Sequence, residues 1–220
     1  MKKIITILKE ENMIDMTEDY PIGFDINELK SIRSFNGKLT YVRQHLGKPI
    51  GTGSGREVYK VDDSKVLKMA RNEKGVVQNK AEADWYGNTY FSILANVIDF
   101  DEDNYIWLEM EIARKAKKSD FKRLWDVDID TLYFYISNKY NENHGIKAAW
   151  GISKETEEKY DNNEYVMELV DLILSTNVSY GDFGRVNSWG VVNRDGDETL
   201  VIIDMGLTDE IHKKFYNKHR

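Results

Sequence analysis

The sequence predicts an α+β fold, with strands crowded toward the front of the chain and helices toward the back. Three observations carry this. Short β-branched runs alternating with polar residues fill much of residues 50–110, interrupted by one helical stretch. Residues 119–176 instead carry apolar residues at helical spacing. A last pair of strand-like runs, Trp189–Asn193 and Leu200–Ile203, turns at Asp195-Gly196-Asp197. A β-rich front and an α-rich back suggest two lobes, with a ligand in the crevice between them.

Taken in order, residues 1–47 form an N-terminal extension. Asp25 is placed to cap a helix from about Asn27 to Gln44, with Leu29, Ile32, Leu39, Val42 and Leu46 on its apolar face and Gly37 as a candidate interruption. Pro49 ends anything helical. Glu57–Val61 and Lys65–Met69 flank Asp62-Asp63-Ser64, which reads as a hairpin. Residues 76–94 read as a helix with Val77, Ala81, Trp85, Tyr86 and Ile93 near one side. Asn96–Phe100 and Tyr105–Met110 form a second hairpin about Asp101–Asn104. Helices follow near 119–126, 129–142 and 155–176, the last turning Tyr165, Leu169, Leu172 and Ile173 inward, and a short charged helix starts near Thr208. Trp125, Tyr133, Phe134, Tyr135 and Trp150 are either core or a recognition surface.

Composition narrows the function classes. With 220 residues, 41% of them apolar, the chain is long enough for a real core. A net charge of −7 gives no electrostatic case for a nucleic-acid or anionic-membrane partner. The run Arg114-Lys115-Ala116-Lys117-Lys118 reads as a solvated basic surface. There is no cysteine, and His45, His144, His212 and His219 lack ligand spacing, so neither a disulfide nor a zinc site is expected. The apolar run in MKKIITILKEENM is too short for a signal peptide, and no stretch approaches the ~20 apolar residues of a membrane span. The expectation is a soluble, cytoplasmic protein.

Chemistry-bearing residues appear at four places. In IGTGSGREVYKV, Gly51, Thr52, Gly53, Ser54 and Gly55 lie between two strands, where backbone N–H groups can approach a polyanion. Neither a Walker A loop nor a dinucleotide fingerprint fits. Lys68 alternates with apolar Leu67 and Met69 and needs an anionic partner if it is buried. The next helix offers Glu82 beside small neighbours, with Asp84 as the rival acid. Finally, YGDFGRVNSWGVVNRDGDETLVIIDMGLT carries Asp182 and Asn187 before one strand and Asp204 after the next. Alone, each is turn chemistry. Together they form a set of hard oxygen donors suited to magnesium with phosphates.

This order and spacing resemble the protein-kinase-like superfamily, whose signature is a glycine-rich loop, a strand lysine, a helix glutamate, D-x-x-x-x-N and D-F-G. The resemblance covers roughly residues 48–208. It implies a two-lobed protein-kinase-like fold, with a five-stranded antiparallel N-lobe sheet plus helix over 48–110 and a minimal, mostly helical C-lobe over 111–220. It also implies ATP and Mg2+ as ligands. Gly51–Gly55 and Val58 would cover the nucleotide, and Lys68, aimed by Glu82, would meet its phosphates. Backbone groups from Glu109 through Glu111 to Ala113 would meet adenine. Asn187 and Asp204 would hold magnesium, and Asp182 would orient the attacking hydroxyl and accept its proton. The form YGDFGRVNSWGVV…LVIIDMGLT looks less like a eukaryotic kinase than like divergent kinase-like proteins of phages and bacteria or aminoglycoside-phosphotransferase-like enzymes. The few residues after Gly206 resemble truncated secreted effector kinases.

Three departures accompany the resemblance. Arg56 stands where a third loop glycine would fall, Tyr180 replaces a histidine, and Gly184 replaces a lysine, with Arg185 as its candidate substitute. The leading expectation is an ATP-dependent phosphotransferase acting on protein Ser or Thr, with a protein substrate that could belong to a host cell. The alternatives are a pseudokinase binding nucleotide or a protein partner, and a small-molecule kinase.

Overall fold

The computed structural model describes residues 20–176, 178, 180–206 and 214–215. Among them are seven α-helices, a five-stranded antiparallel sheet and a three-stranded one. The large sheet runs β1 (Gly51–Thr52), β2 (Arg56–Lys60), β3 (Lys65–Ala70), β5 (Trp107–Glu111), β4 (Val97–Phe100) across its width. Both expected hairpins are present. Val58 faces Lys68 across β2 and β3, and Lys68 faces Leu108 across β3 and β5.

Side chains alternate between faces along each strand. One face carries Tyr59, Leu67, Met69 and Trp107, which pack with Phe24, Ile26, Leu29, Leu39, Tyr41 and Val42. Apart from Phe24, which precedes them, those partners come from α1 (Ile26–Ser31) and α2 (Phe35–Leu46), so residues of the N-terminal extension cover the sheet. The single helix expected from Asn27 to Gln44 is therefore two. The break falls at Ile32, whose backbone is extended, and not at Gly37. Asp25 accepts from the Asn27 N–H at 2.7 Å, and Ser34 begins the second helix by accepting from Gly37 at 3.0 Å.

The opposite face packs Val66, Leu108 and Met110 with Val97, Ala83, Val192 and Val201. Above it lies α3 (Glu73–Ala83), capped by Asn72. This helix stops well short of the expected residue 94. Gly87 turns at φ +70°, and the Asn88 side chain then accepts from the N–H groups of Tyr90 and Phe91. Its buried positions are Gly75, Gln78, Asn79, Glu82 and Ala83, a largely polar face. Close approach explains Gly75: a Cβ there would lie 2.1 Å from the Gly55 carbonyl oxygen.

The rest of the chain holds α4 (Lys118–Trp125), α5 (Ile129–Asn143), α6 (Lys154–Asp161) and α7 (Glu164–Ser175). The expected helix 155–176 is split because Asn163 caps a fresh start by accepting from Val166 at 3.1 Å. Phe121, Trp125, Leu132, Tyr135, Ile136, Leu169 and Trp189 share one core, so Trp125 and Tyr135 are buried structure. β6 (Arg114–Lys115) was expected as a solvated basic run. Its side chains are exposed as expected, and its backbone also pairs with β7 (Trp189–Arg194), which pairs with β8 (Asp197–Ile202). The β7–β8 turn uses Asp195 at φ 55° and Gly196 at φ 96°, the left-handed pair of a tight hairpin. Arg194 ties this hairpin to the larger sheet's surroundings, reaching the Glu111 carboxylate and the Ser92 and Leu94 carbonyls at 2.7 Å each. The helix expected from Thr208 lies outside the described residues. No helix among the described residues is long and apolar enough to cross a membrane.

Candidate functional site

Strand phase aims the site. Arg56, Val58, Val66, Lys68 and Met110 share one face of the large sheet and line a cavity of about 230 Å³. Ile50, Ala113 and Ile203 add apolar wall, while Asn187 and Asp204 close the polar end. A second cavity of about 350 Å³ shares Arg56, Val58, Asn187 and Asp204, and adds Gly53, Ser54, Gly55, Gln78, Asp182 and Arg185. An apolar slot thus opens at its charged end into a polar chamber.

Lys68 is buried, and its Nζ donates to Glu82 Oε2 and to the Ile203 carbonyl, both at 2.7 Å. The choice left open between Glu82 and Asp84 is settled: Glu82 is 0% exposed and bonded to Lys68, whereas Asp84 is exposed. Glu82 also takes a two-toothed grip from Arg56, with Nη2 to Oε1 at 2.9 Å and Nη1 to Oε2 at 2.8 Å. The Met205 N–H donates to the same Oε1 at 3.2 Å. Burial alone would raise the Glu82 carboxyl, but the Arg56 guanidinium and then the Lys68 ammonium overcome it and hold it at about 2. Burial pulls the Lys68 ammonium below its ordinary value, with Arg56 adding to that and Glu82 opposing it. One carboxylate is shared by two cations, and Arg56 holds the larger part.

Arg56 is the residue whose role the sequence did not reveal. It is 8% exposed, and besides Glu82 its Nη2 donates to Asp204 Oδ1 at 2.8 Å. Asn79 steadies this group: its Oδ1 faces Arg56 Nη1 at 3.4 Å, and its Nδ2 donates to the Tyr105 and Ile106 carbonyls. The available signal was parity. Arg56 lies two residues before Val58 at the start of a strand, and so faces the same side as Lys68.

The loop with Asp182 and Asn187 is built from two short 3-10 turns, Tyr180–Asp182 and Val186–Ser188. Buried Trp189 fixes it by donating from Nε1 to the Phe183 carbonyl at 2.8 Å. The Ile203 N–H donates to the Ser188 carbonyl at 2.9 Å, which sets Asp204 beside Asn187. Asp182 pairs with Arg185 at 3.0 Å. Gly206 has a packing reason, since a Cβ there would meet Gln78 Cβ at 2.9 Å and Arg56 Nη2 at 3.2 Å.

The glycine loop arches over the polar chamber. The Gly53 N–H donates to the Arg56 carbonyl at 2.8 Å, Lys74 reaches Ser54 Oγ at 2.6 Å, and a Cβ on Gly55 would strike Gln78 Oε1 at 2.6 Å. Gly51 lies on the apolar slot, whereas Thr52 is exposed on β1 and lines neither cavity. Glu109 is fully buried on the other face, where Tyr20 donates to it at 3.2 Å and Lys65 stands 3.8 Å away. Its backbone sits between β3 and β4. Glu111 lines the slot, but its carboxylate is held by Arg194 and its N–H by the Asn96 carbonyl. The structure therefore gathers Gly51, Val58, Lys68, Asn187 and Asp204 at the slot, with Glu82 buried behind Lys68 and lining neither cavity, Gly53–Gly55 and Asp182 at the chamber, and the Glu109 side chain outside both.

As a donor set for magnesium, Asn187 and Asp204 have suitable hard oxygens. Arg56 already donates to Asp204 Oδ1, so a divalent ion there would share the carboxylate with the guanidinium. No group of three or more His, Cys, Asp or Glu placed to hold a metal occurs among the described residues. What the site offers is an apolar slot ending in fixed cations, with a carboxylate on the far rim. No protein-family model matches this chain, and no curated protein matches it.

Proposed function

We propose that the cleft binds ATP and that the protein is a phosphotransferase of protein-kinase-like, two-lobed architecture. The base would enter the apolar slot between Val58, Val66, Met110 and Ile203, and the phosphates would run past Lys68 and Arg56 under the Gly53–Gly55 loop. The single observation that carries this reading is the buried Lys68–Glu82 pair at 2.7 Å, opening onto the slot beside Asp204 and Asn187. A buried lysine held by a carboxylate and a carbonyl is a costly arrangement that a polyanion site explains.

In the transfer step a substrate hydroxyl oxygen would bond to the γ-phosphorus as the bridging oxygen to the β-phosphate leaves, releasing ADP. Asp182 would orient that hydroxyl and take its proton, after exchanging its contact with Arg185. Catalysis of this kind is chiefly positioning and electrostatics. The substrate we propose is a protein serine or threonine, in the cytoplasm of the producing cell or of a host. A second reading, a nucleotide-binding pseudokinase, draws on the protein cations already paired with Asp182 and Asp204.

The test is transfer of label from γ-labelled ATP to a mixture of protein substrates by wild type and Asp182→Asn. Label transfer by wild type alone, with ATP binding retained in the variant, supports the enzyme. Binding without transfer in either protein supports the pseudokinase reading.

A further inference from the structure

We propose that Arg56 is a resident cation of the polyphosphate site, doing at Asp204 the charge-neutralising work that a divalent ion would do. The inference rests on the nucleotide reading and deepens it. Binding of a nucleoside triphosphate here then needs no divalent ion.

The geometry is specific. Arg56 is 8% exposed and clamped in one orientation by its two-toothed contact with Glu82 and by Asn79. Its Nη2 bonds Asp204 Oδ1 at 2.8 Å, and Gly206 leaves the room this requires. Arg56 also lines both cavities, so it stands where the slot meets the polar chamber, on the path of any anionic tail.

Charge balance points the same way. Glu82 and Asp204 are matched by Lys68 and Arg56, and Asp182 by Arg185. A polyphosphate entering a cleft with an unmatched aspartate would be repelled unless a metal came with it. Here the aspartate is already matched by a guanidinium. An arginine cannot lose its proton and presents several donors in a plane, which suits phosphate oxygens. Its fixed position also means little rotamer freedom is lost when a phosphate arrives.

The test is a fluorescence titration with a ribose-labelled ATP analogue, in EDTA and in magnesium, on wild type, Arg56→Met, Arg56→Lys and Asp204→Asn. Wild-type affinity in EDTA is expected within about threefold of that in magnesium, less than the tenfold step of one charge-assisted bond. Arg56→Met is expected to weaken binding about tenfold or more in EDTA and to recover in magnesium. Asp204→Asn, which removes the negative charge and keeps the Glu82 clamp, is expected to bind in EDTA at least as tightly as wild type. Arg56→Lys should fall between wild type and Arg56→Met. If Arg56→Met does not melt cooperatively, the Arg56→Lys and Asp204→Asn arms decide. Wild-type binding that is lost in EDTA and restored by magnesium would overturn the role of Arg56 while leaving the nucleotide reading intact. Equal EDTA affinities for wild type and Arg56→Met would do the same. No binding to any protein in either buffer would remove the nucleotide reading and this inference together.

Discussion

Replacing Glu82 with glutamine tests how the centre of the site is held. The carboxylate is 0% exposed and accepts from Lys68, Arg56 and the Met205 N–H. A glutamine of the same shape would leave two buried cations with no full countercharge between them. Breaking a buried ion pair by removing one partner costs about 3–5 kcal/mol. The titration of the group supports that size: it falls from 4.5 to about 2 on folding, and each unit is worth about 1.4 kcal/mol, giving about 3 kcal/mol. For a chain of this length the midpoint of thermal unfolding should drop by about 6–20 °C. The pH dependence has a definite sign. Because the folded carboxyl titrates below its unfolded value, its contribution is full above the unfolded value and is lost as pH falls through about 2. Urea melts of wild type and Glu82→Gln should therefore converge as the pH is lowered from about 5 toward about 2. A variant within about 1 kcal/mol of wild type at neutral pH, or a gap that does not narrow in acid, would refute the account of the Lys68–Glu82–Arg56 group.

Other perturbations probe the scaffold. Leu29→Ala, in the N-terminal helix that covers the sheet, should cost about 2–5 kcal/mol in urea melts, because Leu29 is 0% exposed; a loss under about 1 kcal/mol would make the extension an appendage. Gly75→Ala should destabilise by about 1–3 kcal/mol although alanine favours helix, since its Cβ would meet the Gly55 carbonyl at 2.1 Å; an unchanged or raised midpoint would contradict the close packing. Burial, then the hydrogen bond to Glu57, pushes the Tyr59 phenol up to about 12. Its contribution is therefore full below the unfolded value near 10 and lost as pH rises through the folded one. Tyr59→Phe should flatten the alkaline limb of the stability profile, and identical limbs would contradict this.

Strand periodicity made the large sheet legible from sequence. Lys68 among Leu67 and Met69 marked a cation on the face opposite those apolar residues, and the Val58–Lys68 pairing places it there. Parity also places the side chain of Glu109, whose backbone was the group expected to meet the base. Glu109 pairs with Leu67, on the face covered by α1 and α2, while Leu108 and Met110 face the slot. Hydrophobic periodicity overextended the helix from residue 76, since α3 buries Gln78, Asn79 and Glu82 toward the site. Its apolar positions were a poor guide because the surface it covers is charged. Arg56 was read from the sequence as a missing glycine, although strand parity put it on the face of Lys68. Its role depends on Asp204, 148 residues away, a contact that local pattern does not encode. The docking of α1 and α2 on the sheet is likewise tertiary information, carried by apolar faces that do not name their partner.

The most direct test of the central claim is ligand-induced stabilisation: thermal melts of wild type and Lys68→Met, with ATP alone and with ATP plus magnesium. A ligand at about 100 times its dissociation constant adds roughly 2.7 kcal/mol. For this chain length that is a midpoint rise of about 5–11 °C. The account predicts that rise in wild type under both conditions and its loss in Lys68→Met. No rise in wild type, or an equal rise in both proteins, would contradict the cleft as the nucleotide site.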